Sequence, residues 1–150
     1  MIKDRPNRLT MLYLSQPVYF VTFCTRNRSQ IPSLERAQAA LERYADRGIK
    51  EFRVSVGRYI IMPDHIHLFV RGGADFVLSP WVAGLKRAIS IALVIKGEFW
   101  QPGFFDHVVR SDESYATKWH YVCENPVRAG LVERSEHWPF QGDVVSIGRE

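Results

Sequence analysis

Pro63-Asp64-His65-Ile66-His67-Leu68-Phe69-Val70 is the stretch that decides how the rest of the chain is read. Pro63-Asp64 has the chemistry of a turn, because proline presets φ and aspartate bonds back to its own backbone. The six residues after it read as a strand, apolar on both faces. Side chains alternate along a strand, so His65, His67 and Phe69 share one face and Ile66, Leu68 and Val70 the other. The second row suits packing against helices. On the first, two imidazoles stand with their Cα atoms roughly 6.5–7 Å apart, close enough for both rings to reach one metal ion. Histidine is also an ordinary core or surface residue, and two ligands do not complete a metal site. A third donor has to come from elsewhere.

Phe52 to Met62 precedes this strand across the turn and reads as its antiparallel partner, with Gly57 at a bulge. Val18 to Thr25, dense in β-branched and aromatic residues, is a strand buried on both faces. Between them Ser33 caps a helix running to Arg47, with Gly48 just past its end and Leu34, Ala37, Leu41 and Tyr44 or Ala45 as its buried stripe. Ser79-Pro80 marks the start of a second helix, with Val82, Leu85, Ile89, Ala92 and Leu93 facing inward and Gly97 as its stop. Phe104 to Arg110 is a fourth strand, on which Asp106 and His107 point to opposite faces. His107 is either an auxiliary site residue or a surface one.

The last helix starts at Ser111, carries Asp112 and Glu113 in its first turn, and should end near Asn125 because Pro126 follows. At about 100° per residue, Tyr115, Trp119, Val122 and Cys123 fall on one face, the core face. Tyr121 points almost opposite Trp119, among Ser114, Thr117, Lys118 and Asn125. Burial does not account for this tyrosine. Asn125 lies one turn on along the same face, so a phenol and an amide oxygen stand side by side. Asn125 is then either a helix-terminal residue or a third ligand.

Element order β-α-β-β-α-β-α matches, in its first six members, the ferredoxin-like α+β pattern: a four-stranded antiparallel sheet with two helices on one face. The C-terminal helix carries the tyrosine, and the sheet's other face, bearing the histidines, is expected to be free. With 150 residues, 46% of them apolar, one domain over 1–150 is expected, with 1–17 an N-terminal arm containing Arg5 and Arg8 and 133–150 a C-terminal tail. Net charge +4 is compatible with a nucleic-acid partner. Cys24 and Cys123 show no metal spacing and no disulfide framework. Neither a long apolar run nor a signal-peptide core is evident, so the expectation is a cytoplasmic protein without a membrane partner.

His65-Ile66-His67, followed by Tyr121-Val122-Cys123-Glu124-Asn125-Pro126-Val127-Arg128-Ala129-Gly130-Leu131-Val132, resembles the HUH single-tyrosine transposases. It is most similar to their REP-associated tyrosine transposase branch, which pairs a "MPDHIHL"-type strand with a tyrosine shortly before an "Asn-Pro-Val-x-x-Gly-Leu" helix end. Trp100-Gln101-Pro102-Gly103-Phe104-Phe105-Asp106-His107 matches a third block. The resemblance implies an enzyme: a metal-dependent single-stranded DNA endonuclease and strand transferase acting on hairpin-forming repeat DNA. His65, His67 and Asn125 would hold a divalent cation, Mg2+ or Mn2+, and Tyr121 would attack to leave a 5′-phosphotyrosine. A phenol has a pKa of about 10, so forming phenolate at pH 7 costs about 4 kcal/mol, which the metal or Lys118 would offset in part. Tyr115 is the rival nucleophile by residue type. Arg26, Arg28, Lys86, Arg87, Arg110, Lys118 and Arg128 are candidate DNA contacts or ordinary solvated charges. Relatives of this kind are often homodimers. Two other readings remain: a non-catalytic hairpin-DNA-binding module on the same fold, and a phosphoesterase that uses water in place of tyrosine.

Overall fold

A computed structural model describes residues 16–147. Most of the expected arm, including Arg5 and Arg8, lies outside the described residues. The elements are β1 (Val18–Cys24), α1 (Leu34–Arg47), β2 (Ser55–Met62), β3 (His65–Arg71), α2 (Leu78–Ala92), β4 (Phe105–Val109), α3 (Asp112–Val122), α4 (Asn125–Arg128) and β5 (Gln141–Asp143). The sheet order is β4-β1-β3-β2-β5, antiparallel throughout. The first four strands and two helices take the expected α+β arrangement. The fifth strand lies in the segment expected to be a C-terminal tail: Gln141–Asp143 pairs with β2, and Trp138 is buried with its indole N–H donating to the Ile61 carbonyl at 3.0 Å.

The central strands are apolar on both faces because both faces are covered. Val21, Phe23, Ile66, Leu68 and Val70 pack under α1 and α2, against Leu41, Leu85 and Ile89. Phe20, Ile60, Met62 and Phe69 point the other way, under Tyr115, Trp119 and Val122 of α3 and under Trp138. The histidine-bearing face, expected from the sequence to be free, is instead partly roofed by α3. Burying its apolar stripe is what fixes that helix to the sheet.

Helix ends were the least readable feature. Ser33 caps α1 as expected, its Oγ accepting from the Arg36 N–H at 3.1 Å. Gly48, however, keeps right-handed helical geometry, and the chain continues through a wider turn to Phe52 before Arg53 turns left-handed at φ 56°. β2 accordingly begins at Ser55, not Phe52. α2 starts at Leu78 with Pro80 as its third residue; all first-turn N–H groups lack helical partners, so proline is accommodated there too. It ends at Ala92, before Gly97, where Val94 turns left-handed. α3 ends at Val122 because Pro126 has no N–H to give the Val122 carbonyl, and Asn125 opens a separate turn, α4. The Gly57 irregularity is present: the β2–β3 register shifts between Val56 and Tyr59.

Candidate active site

The hairpin of β2 and β3 sets the two histidines. His65 and His67 stand on one face with ring centroids 4.8 Å apart and planes nearly perpendicular. Each Nδ1 is engaged. His65 Nδ1 lies 2.7 Å from Asp64 Oδ1, and His67 Nδ1 lies 2.7 Å from Thr22 Oγ1 on β1. Asp64 in turn accepts from Arg28 Nε at 2.8 Å. Burial raises the Asp64 pKa, but the hydrogen bonds and charges of His65 and Arg28 outweigh it, and the net shift is downward. An ionised carboxylate only accepts, so His65 Nδ1 is the donor to Asp64. His67 is pushed down to about 3, by burial first and then by the charges of His65 and Lys118, so it is a neutral imidazole at pH 7. Neutral rings with Nδ1 tied to an outer partner are the form in which histidine binds metals.

Phe20 stacks on His67 with centroids 5.3 Å apart, and the Lys118 ammonium sits 5.2 Å over the Phe20 ring. Lys118 belongs to α3, so this contact brings the polar edge of the tyrosine helix to the histidine strand. His107, on β4, faces the same way, 5.6 Å from Phe20. Burial and the Lys118 charge lower its pKa.

Tyr115 and Trp119 are buried as their helical phase requires, and Tyr121 is 67% exposed. The Tyr115 hydroxyl accepts from the Arg58 backbone N–H at 3.0 Å. Tyr121 forms one cluster with Asn125 and Arg128: the guanidinium lies 4.2 Å over the Tyr121 ring, donates to the Tyr121 carbonyl at 2.7 Å, and donates to Asn125 Oδ1. Between α3 and β4 runs a groove of about 860 Å³ lined by Tyr121, Lys118, Thr117, His107 and Arg110. Lys118 meets the cross-strand row His107–Phe20–Phe69, and Tyr121 shares the groove with His107. The next row on this face of the sheet is Phe105–Thr22–His67–Ile60.

Two adjacent imidazoles with Nδ1 held by outer partners, that of His67 neutral, thus suit a divalent cation. Among the described residues no third His, Cys, Asp or Glu completes a metal cluster with them. Asn125 offers a donor of another type, and its oxygen is engaged by Arg128. The other basic positions divide between layers. Arg110, Lys118 and Arg128 border the groove or the tyrosine. Arg26 pairs with Glu98 at 3.2 Å. Lys86 and Arg87 lie on α2, across the sheet from the histidines, and Lys86 is occupied with the carbonyls of Gln101 and Gly103. Sequence reading passed over Thr22, Asp64 as a partner of His65, and Arg128 as the clamp on Tyr121. Asp64 sat in plain view as the neighbour of His65, whereas Thr22 needed the β1–β3 register.

No helix among the described residues is long and apolar enough to cross a membrane. Residues 14–125 match the family described as "Transposase IS200 like". The chain is 29% identical over 131 residues to the REP-associated tyrosine transposase of Escherichia coli (strain K12), covering 85% of this chain and 77% of that one. A solved structure described as "Structure of the REP associates tyrosine transposase bound to a REP hairpin" matches with a TM-score of 0.71 and 25% identity, over 86% of this chain and 78% of the other. With the match running from the strand that holds Thr22 through the histidine pair to Asn125, the chain belongs to the IS200-like transposases, among the REP-associated tyrosine transposases.

Proposed function

We propose that this transposase cuts and rejoins single-stranded DNA beside a hairpin-forming repeat, with Tyr121 as the nucleophile. The observation that carries the reading is the exposed Tyr121 phenol, clamped from below by Arg128, on the helix whose Lys118 reaches the Phe20–His67 stack. The Tyr121 oxygen attacks the scissile phosphorus, the bond to the upstream 3′ oxygen breaks, and that oxygen takes up a proton. The products are a 5′-phosphotyrosine and a free 3′-OH. The 3′-OH of a second strand reverses the step, and the phosphodiester is conserved without ATP. Lys118 places a positive charge beside the phenol and phosphate as negative charge develops.

His65, His67 and Asn125 would hold a divalent cation, Mg2+ or Mn2+, with Arg128 giving up the Asn125 oxygen. When bound, that cation would polarise the scissile phosphate and orient it for in-line attack. Asp64 and Thr22 hold the Nδ1 sides of the two rings and keep the imidazoles turned. The hairpin is proposed from the named complex of the structural relative, and the working compartment from the chemistry of the substrate, the cytoplasm.

Incubation with hairpin-bearing single-stranded DNA and Mn2+ should give a protein–DNA species that survives sodium dodecyl sulfate. Tyr121→Phe should abolish it and leave hairpin binding within about twofold, whereas an adduct that persists in Tyr121→Phe removes the nucleophile assignment. The hold of Arg128 on Asn125 is the observation that favours a non-catalytic hairpin binder. That protein would bind the same DNA tightly and form no adduct at any Mn2+ concentration.

A further inference from the structure

Phe105 is 69% exposed on the edge strand β4, whereas Phe20 of β1 and Phe69 of β3, on the same face, are buried. It stands on the histidine face, because it pairs with Thr22, whose hydroxyl bonds His67. Strands lie about 4.8 Å apart, so two strand steps put the Phe105 Cα about 10 Å from that of His67. His107, next on the same face of β4, begins the groove against α3 that Tyr121, Lys118 and Arg110 also line; Glu113 is the acid among its walls. An exposed aromatic ring two residues beyond the end of a cationic groove, on the same strand face, suits unpaired nucleic acid: the cations follow the phosphates, and the ring carries a base whose face no partner covers. A protein partner or a lipid surface would call for a wide apolar patch, not one ring bordered by charges.

We infer that the β4–α3 groove is the subsite for unpaired nucleotides next to the bond Tyr121 attacks, and that one base stacks on Phe105. This rests on the strand-transfer reading above. Every base has a π-face, so Phe105 sets the position of the strand along the groove and does not select its letters. Arg110 and Lys118 flank the phosphates on the α3 side of that base.

The test uses the full chain and hairpin-bearing DNA with the fluorescent adenine analogue 2-aminopurine placed at successive unpaired flank positions, in metal-free buffer so that nothing is cut. Wild type should quench one flank position on binding. Phe105→Ala should restore its emission and weaken Kd about five- to tenfold, with an unchanged melting temperature. Phe105→Trp should keep both quench and affinity. In the adduct assay, the loss from Phe105→Ala should appear in the DNA concentration required and not in the rate at saturation. Equal Kd for wild type and Phe105→Ala, with no flank position quenched, overturns the subsite while an intact adduct leaves the strand-transfer reading standing. A wild-type chain that forms no adduct removes that reading and the subsite with it.

Discussion

Asn125 offers one oxygen, and the Arg128 guanidinium already holds it while lying over the Tyr121 ring. The same guanidinium therefore orients the phenol and competes with a cation for the amide. Arg128→Ala should slow single-turnover adduct formation about tenfold, the scale set by charge-assisted hydrogen bonds of about 1.5–3 kcal/mol shared among three contacts. The Mn2+ concentration for half-maximal rate should fall at the same time, because the amide is released. An Arg128 that is merely on the surface would move neither. Asp64 acts one bond further out, through His65 Nδ1. Asp64→Asn should weaken Mn2+ binding to the protein alone about 10–100-fold, the usual effect of losing an outer partner of a ligand histidine. Titration calorimetry without DNA reads this directly, and unchanged affinity would separate Asp64 from the metal site.

α3 is held by contacts that leave little clearance. A Cβ added at Gly57 would come 2.5 Å from the Tyr115 hydroxyl and 2.7 Å from Ile147 Cγ1. Gly57→Ala should therefore push α3 and the C-terminal segment off β2 and destabilise by about 1–3 kcal/mol in urea melts. Tyr115 adds a pH dependence. Burial pushes its phenol up to about 12 from the ordinary 10, with the Arg58 N–H acting in the opposite sense. The folded state keeps the proton that the unfolded chain releases, so this stabilisation is complete below pH 10 and is lost as pH climbs from 10 to 12. The ceiling is about 3 kcal/mol, two pKa steps at 1.36 each. Tyr115→Phe should flatten that alkaline loss, cost about 1–3 kcal/mol at pH 7 by stranding the Arg58 N–H, and leave the DNA adduct intact. An adduct lost in Tyr115→Phe but retained in Tyr121→Phe would reverse the assignment of the two phenols. The phase that separates these tyrosines was legible from helical spacing alone, as was the His65–His67 face from strand alternation. What was not legible depended on register or on terminal geometry. Thr22 meets His67 only through the β1–β3 pairing. Gly48 looks like a stop but stays right-handed until Arg53 turns, and the second helix is already over at Val94, before the left-handed Gly97. The fifth strand was hidden because β5 and Trp138 lie in a segment with weak periodicity.

At the scale of the molecule the sheet divides the charge. α1 and α2 cover one face, and Lys86 there spends its ammonium on the Gln101 and Gly103 carbonyls. The other face carries the histidines, the tyrosine and the groove with Arg110 and Lys118. Net charge alone, +4, would draw DNA to either. Two substitutions separate net charge from placement, since Arg110→Glu and Arg87→Glu each lower the total by two. If DNA lies on the histidine face, Arg110→Glu should weaken hairpin-DNA binding about tenfold and reduce the slope of log K against log salt by about 0.7, the value for one contact on a single strand. Arg87→Glu should stay within about twofold of wild type with its slope unchanged. Fluorescence anisotropy between 50 and 200 mM salt measures both quantities in one series. Equal losses from the two variants would mean that the field of the whole protein, and not this face, holds the DNA. A larger loss from Arg87→Glu would move the DNA to the helical layer, out of reach of Tyr121.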